Sequence, residues 1–561
     1  MSIVNETAVG GPVGLSDPSV IFNLNTVNDF GTQTAFIDVM KNARSFSAAK
    51  EEGGSYKARD LEAGGYLDEN GYPTFMPEDV KHFRTLWDWG KGESPAAEGR
   101  AGVYVLEYEG EGHIHLGLHA KVISREPGKI VFENLKGGKF SLDIRSTDPN
   151  GTGDYIRDIS IVKEEHVALH EAGAVFDPDW LALIDDAREL RFMDWQHTNH
   201  STNSEWDERA TATDMTYATS KGVPLEIMVQ LANEAGTDAW FSMPHGATDE
   251  YMREFAIYVR DNLDPNLRAS VELSNEVWNP AFSQGHHIAR AQEAEWGEWR
   301  AIDSYSKRAT EMALIWDEVY ADEPEGRLQK VLGTQTNNPW ITATALENRS
   351  WQEFEPETYV RPADVFDAVA VTTYFGGRFA IDDTLRGELE DAIADPEVNA
   401  FDYLRDRILY EEDVRGTIPF IANRWQEHKN ILEANGDLDL IAYEGGQHVH
   451  HLWATSGDSA AMTDFFADFV RSPQMAELYE ASWKAWAEIG DGGYNQFGDV
   501  AAPTKWGSWG LYSHVGDENP RAEALDRLNE ETEVWFADRG GEHFQQGVIR
   551  EGDAEGPSND V

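Results

Sequence analysis

From about residue 165 onward, short apolar runs alternate with amphipathic segments of helical length, and this rhythm constrains the chain more than any single motif. The strand candidates are LRFMDW ending at Trp195, PLEIMVQL at 224–231, ASVELSNEVW at 269–278, KVLGTQ at 330–335, AVAVTTYF at 368–375, LIAYEGG at 440–446 and GGYNQFGD at 492–499. Stretches such as TDEYMREFAIYVRDNL lie between them and read as helices. An eighth candidate, VIFNLNTV at 20–27, comes first and is followed by FIDVMKNARSF, which predicts a helix. Parallel strands joined by right-handed crossovers leave few arrangements. Eight such units predict an α/β fold, a closed (β/α)8 TIM barrel.

One interval breaks the rhythm. Between about 97 and 165, GVYVLEYEG, HIHLGLHAKVIS, GKIVFENL, KFSLDIRS and YIRDISIVKEE read as strands separated by Gly, Asn and Pro turns. They predict a small antiparallel β module inserted after the first barrel strand, serving as a lid or wall or as a carbohydrate-binding unit. The chain therefore divides into 1–96, the start of the barrel; 97–165, the module; 166–545, the rest of the barrel; and 546–561, a loose acidic tail. The DPNGTGD run at 148–154 lacks the ligand pattern of a calcium loop.

Composition removes whole classes of function. With 101 Asp+Glu against 46 Lys+Arg the net charge is −55, so nucleic acid and anionic membranes are poor partners. Acidity this dense fits a saline, halophilic setting, where salt screens self-repulsion. The absence of cysteine excludes disulfides, thiolate nucleophiles and thiolate metal sites. No apolar run reaches the roughly 18–20 residues of a membrane span. The opening MSIVNETAVGGPVG has neither a basic nor an apolar signal region, so no conventional signal peptide is expected. No phosphate loop, G-x-S-x-G elbow or H-E-x-x-H is present, and no cofactor or metal is expected.

Function in a barrel sits where strands end at the C-terminal face. Glutamate is disfavoured in strands, yet Glu276 follows ASVELSN and Glu444 follows DLDLIAY. At the ends of the fourth and seventh strands, these two carboxylates face one another across the barrel mouth. A sugar unit can bridge that spacing, and 11% aromatic residues suit a sugar-binding cleft.

A barrel with Asn275-Glu276 ending strand four and Glu444 ending strand seven resembles the clan A retaining glycoside hydrolases, cellulase-like endoglycanases among them. The resemblance covers most of 18–520 apart from the module. It implies that Glu276 is the general acid/base and Glu444 the nucleophile, with the two carboxyls about 5–5.5 Å apart. It further implies that Arg191 hydrogen-bonds the nucleophile, that Tyr374 donates to the same carboxylate, and that Asn275 binds the sugar 2-hydroxyl. For Arg191 the alternative is an ion pair with Asp194 or another barrel acid, and for Tyr374 it is packing.

Outside these residues, His245 in FSMPHG resembles a strand-three histidine near the reacting sugar, or is a core histidine. Trp506 and Trp509 in TKWGSWGLY are candidates for an aromatic platform under the sugar, unranked between them. Trp195, Trp278 and Gln335 complete a ring of strand-end contacts. His448, His450 and His451 could bind a metal but are read as hydrogen-bonding residues of the cleft. The expected function is a retaining glycoside hydrolase on a β-linked, β-glucan-like polysaccharide or oligosaccharide, endo-acting, secreted or at the cell surface. The negative charge argues for a neutral glycan. The alternatives are a non-catalytic carbohydrate-binding barrel, or a transglycosylase or inverting hydrolase on the same site.

Overall fold

The computed structural model describes residue 15 and residues 17–450 and 460–536. Its largest sheet is a parallel (β/α)8 barrel whose strands are β1 (Val20–Asn23), β2 (Glu189–Arg191), β3 (Asp238–Met243), β4 (Ala269–Leu273), β5 (Leu328–Gly333), β6 (Ala368–Phe375), β7 (Asp439–Gln447) and β8 (Tyr494–Phe497). The ladder runs in the order 7-6-5-4-3-2-1-8, all neighbours parallel. β7 and β8 lie side by side without a ladder. There Asn495 Nδ2 donates to the Ala442 carbonyl at 3.2 Å and Asn23 Nδ2 to the Tyr443 carbonyl at 3.0 Å, so side chains close the seam.

Strands buried on both faces read as continuous apolar runs, and these do. The apolar mass lies between sheet and helices. A separate small cluster of Trp240, Val331, Ala368, Ala370, Ile441 and Tyr443 fills the lumen. No helix among the described residues is long and apolar enough to cross a membrane.

Three sequence expectations need correction. PLEIMVQL is not a strand but the start of the helix Leu225–Ala235, which buries Ile227, Met228, Leu231, Ala232 and Ala235 and ends at left-handed Gly236, φ 68°. An apolar run of eight does not distinguish strand from helix. The third strand is DAWFSM, Asp238–Met243, buried throughout.

The helix expected in FIDVMKNARSF is a single 3-10 turn, Val39–Asn42, after which the chain enters a strand at Ser47. The module thus begins fifty residues before 97. Ser47–Lys50, Ser55–Tyr56, Val80–Trp87, Gly112–Leu118 and Phe140–Thr147 form a five-stranded antiparallel sheet. Gly102–Glu109, Lys121–Glu126, Lys129–Asn134 and Arg157–Lys163 form a four-stranded one. The two enclose their own core, in which Trp87 stacks on Phe140 with ring centroids 4.2 Å apart. VKHFRTLW hides its strand character because its outward positions are basic.

Candidate active site

At the end of β4 the backbone turns sharply: Ser274 and Glu276 both take left-handed conformations, φ 59° and 42°. Each costs about 1–3 kcal/mol for a residue with a side chain and persists only where the surroundings hold it. The holding contacts converge on the residue between them. Gln284 Nε2 donates to the Asn275 carbonyl at 2.7 Å, Arg191 Nη2 to Asn275 Oδ1 at 2.9 Å, and Asn275 Nδ2 to Asn199 Oδ1 at 3.2 Å. The turn presents the half-buried Glu276 carboxyl to two neutral donors, Asn279 Nδ2 at 2.7 Å and the Tyr443 hydroxyl at 3.0 Å.

β7 delivers its residues by a different device. Its register with β6 advances evenly to Val371–Ala442 and then jumps to Thr372–Glu444, leaving Tyr443 as an extra residue. Adjacent strand residues ordinarily point to opposite faces; a bulge cancels that rule. Tyr443 therefore reaches Glu276 while its neighbour Glu444 also turns into the mouth. There Glu444 accepts from Arg191 Nη1 and from the Tyr374 hydroxyl, each at 3.1 Å. The glycines that follow are required by this path. A Cβ on Gly445 would lie 1.9 Å from Thr373 Oγ1 and 2.5 Å from the Asn495 carbonyl, and Gly446 has φ 91°.

Arg191, fully buried, spends all five of its N–H donors. Nε and Nη2 go to Glu272, with Nε at 2.9 Å; Nη1 goes to Asn23 Oδ1 at 2.8 Å and to Glu444; the second Nη2 donor goes to Asn275. Arg191 thus bonds Glu444 and at the same time pairs with a barrel acid, which is Glu272 rather than Asp194. Ser242 donates to the same Glu272 oxygen at 2.8 Å.

One guanidinium thus faces several buried carboxyls. Burial pushes Glu276 and Glu444 up; Glu272 adds to the rise at Glu276, Glu276 and Asp194 add to it at Glu444, and Arg191 opposes it at both. Asp194 is itself raised to about 6 by burial, with Arg191 opposing and Asp499 adding to the rise. The cluster cannot ionise completely, so it retains a proton near neutrality. Glu444 touches the cation and Glu276 does not, which favours the charge on Glu444 and the proton on Glu276.

Glu276, Trp278, Gln335, Tyr374, Tyr443 and His448 line one cleft of about 360 Å³. Trp278 has an unpartnered indole N–H. The His448 ring packs 4.5 Å from that of Tyr374 and 5.7 Å from that of Trp509, and Trp509 also rests on Phe497 and His450. Trp509 thus packs against His448, a residue of the cleft lining. Trp506 does not: it is 56% exposed beside its own neighbour Lys505. His245 is buried against His287, 5.1 Å between ring centroids, contacts neither carboxyl, and is lowered to about 4 by burial and the neighbouring imidazoles. Trp195 stacks on Trp180 in the layer between sheet and helices. His451 lies outside the described residues.

Sequence reasoning passed over Tyr443, Asn279, Glu272, Asn23 and Asn199. Glu272 carried a usable signal, a glutamate inside a buried strand four residues before Glu276; Tyr443 did not, because alternation turns it away from the mouth. Among the described residues no group of three or more His, Asp or Glu side chains is arranged to hold a metal.

No family model matches the chain, and no curated protein matches it. Among solved structures it is similar to the CBM22-1–GH10 modules of the Clostridium thermocellum endo-1,4-beta-D-xylanase 10B complexed with xylohexaose, at 10% identity and TM-score 0.36, over 89% of this chain and 98% of that one. A GH51 alpha-L-arabinofuranosidase from Thermotoga petrophila follows at 12% and 0.36, over 64% of this chain and 65% of that one. A Thermotoga maritima beta-glucosidase in complex with azafagomine follows at 11% and 0.33, over 63% and 86%. These three structures are glycoside hydrolases.

Proposed function

We propose that the protein is a retaining glycoside hydrolase acting on a β-linked polysaccharide or oligosaccharide, with Glu276 as acid/base and Glu444 as nucleophile. The observation that carries this is the unequal environment of the two carboxyls: Glu444 is held by the Arg191 guanidinium and by the phenol of Tyr374, a residue of the cleft lining, and Glu276, itself in that lining, by neutral donors only. In the first step Glu276 gives its proton to the glycosidic oxygen as a Glu444 oxygen bonds to the anomeric carbon, and the C–O bond to the leaving sugar breaks. In the second, Glu276 takes a proton from water, the water oxygen attacks the anomeric carbon, and the bond to Glu444 breaks. Two inversions give net retention.

In this reading Arg191 and Tyr374 orient Glu444 and favour its ionised form, and the role of Asn275 at the sugar 2-hydroxyl comes from the clan A resemblance. β-Linkage and endo action come from the clan A resemblance. Digestion of a glycan panel with reducing-end detection and mass spectrometry tests the activity. Proton NMR of the first-formed anomer separates retention from single displacement, and a panel left intact refutes the enzyme reading in favour of a binding protein.

A further inference from the structure

The same cleft carries a charge that the proposed reaction does not use. Arg378, in the loop after β6, and Arg415, in the loop before the helix Ile418–Asn435, both line it. The two loops are tied by Gly376 N–H donating to the Gly416 carbonyl at 2.7 Å. Arg378 lies across Gly416, its Cγ 3.3 Å from where a Cβ would stand, and Gly416 has φ 92°.

In a chain with more than two acids per base, arginines readily find carboxylates. Nearby, Arg407 closes on Glu388 and Glu411, and Arg405 on Asp402, Asp406 and Glu477. The cleft pair is held more loosely. The carboxylate beside Arg378 is Asp382, at 3.8 Å, outside hydrogen-bond reach. Arg415 has neither an ion pair nor a hydrogen bond among the described residues, although Glu412 and Asp413 stand just upstream. Burial and then Arg378 lower the hold of Arg415 on its proton, so two like charges lie close together in the cleft with only the loose Asp382 contact to offset them.

We infer, resting on the glycosidase reading, that the substrate is an acidic glycan, and that Arg378 and Arg415 grip a carboxylate or sulfate ester on a sugar next to the one held at Glu276 and Glu444. The guanidinium fork matches the paired oxygens of either group. Such recognition must be local, because the field of the whole protein repels anions. This departs from the neutral glycan that overall charge suggests: a pair of cations in the cleft outweighs, at contact distance, a diffuse charge that salt screens.

Calorimetry with the catalytically silenced Glu276→Gln protein tests this apart from turnover. The ligands are an oligoglucuronate with its carboxyl-reduced counterpart and a sulfated galacto-oligosaccharide with its desulfated parent. Expected is at least tenfold tighter binding of one acidic member than its neutral partner at about 50 mM salt, identifying carboxylate or sulfate. That advantage falls below threefold when Arg378→Ala and Arg415→Ala are combined, and survives in part in Arg415→Lys. Equal binding within both pairs, no binding of any of the four, or an advantage untouched by the double substitution overturns the inference. Hydrolysis of neutral glycans without acidic preference leaves the glycosidase reading standing alone, whereas acidic binding by a protein that cleaves nothing leaves this inference standing and removes the other.

Discussion

At the scale of single residues, Glu276 and Glu444 differ in their surroundings. Glu276→Gln and Glu444→Ala are each expected to lower kcat by three or more orders of magnitude while leaving the circular dichroism spectrum of a folded protein nearly unchanged. Azide should restore part of the rate to Glu444→Ala with an inverted glycosyl azide as product; near-normal hydrolysis by either variant refutes the assignment. The pH profile carries a sharper test. The proposed double displacement needs Glu444 ionised and Glu276 protonated, so on that proposal the acid limb reports the first and the basic limb the second. Tyr443 donates to Glu276 and so opposes the rise that burial imposes. In Tyr443→Phe that opposition is lost, Glu276 holds its proton to higher pH, and the basic limb of kcat/KM should move upward while the acid limb stays in place. A profile unchanged in shape would mean that Tyr443 only packs in the lumen.

At the scale of elements, what the sequence disclosed divides along a physical line. The barrel was legible because strands buried on both faces are plain apolar runs, and Glu276 and Glu444 because a glutamate ending such a run is conspicuous. Features that depend on a break in local regularity stayed hidden. The bulge at Tyr443 is one extra residue in YEGG, and no period of two announces it. The helix Leu225–Ala235 was mistaken for a strand because eight apolar residues obey either period. That helix also buries Glu234, whose only side-chain partner among the described residues is Gln230 Nε2 at 2.6 Å, and burial raises its carboxyl to about 7. A folded pKa above the unfolded one gives stability that is intact below the unfolded value and lost as pH rises through the folded one. Glu234→Gln should therefore change little at pH 5 and stabilise at pH 8, by on the order of 3 kcal/mol if the full shift, from 4.5 to about 7, is recovered. Thermal melts at the two pH values decide it, and an equal effect at both would show that the charge of Glu234 is not what the helix pays for.

At the scale of the whole molecule the excess of acid sets the terms. Even if every Lys and Arg took one acid, 101 − 46 = 55 carboxylates would remain without a base, and most acids lie at the surface. Two effects of salt then compete. Screening weakens surface ion pairs such as Arg253–Glu318 and Arg527–Glu480, each contributing about 0–1 kcal/mol. It also weakens repulsion among the surplus acids, which acts over many pairs at separations near the Debye length of about 10 Å at 0.1 M and about 3 Å at 1 M. The surplus exceeds the number of pairs available to be lost, so repulsion governs the sign, and the melting temperature should rise steadily as sodium chloride goes from low concentration to about 1 M. The pair formed by Arg191 with Glu272 and Glu444 is buried beyond the reach of screening ions. The limbs of the pH profile should accordingly hold their positions over the same range. A melting temperature flat or falling with salt would show that the surface carboxylates do not strain the fold, and would detach its acidity from any saline setting.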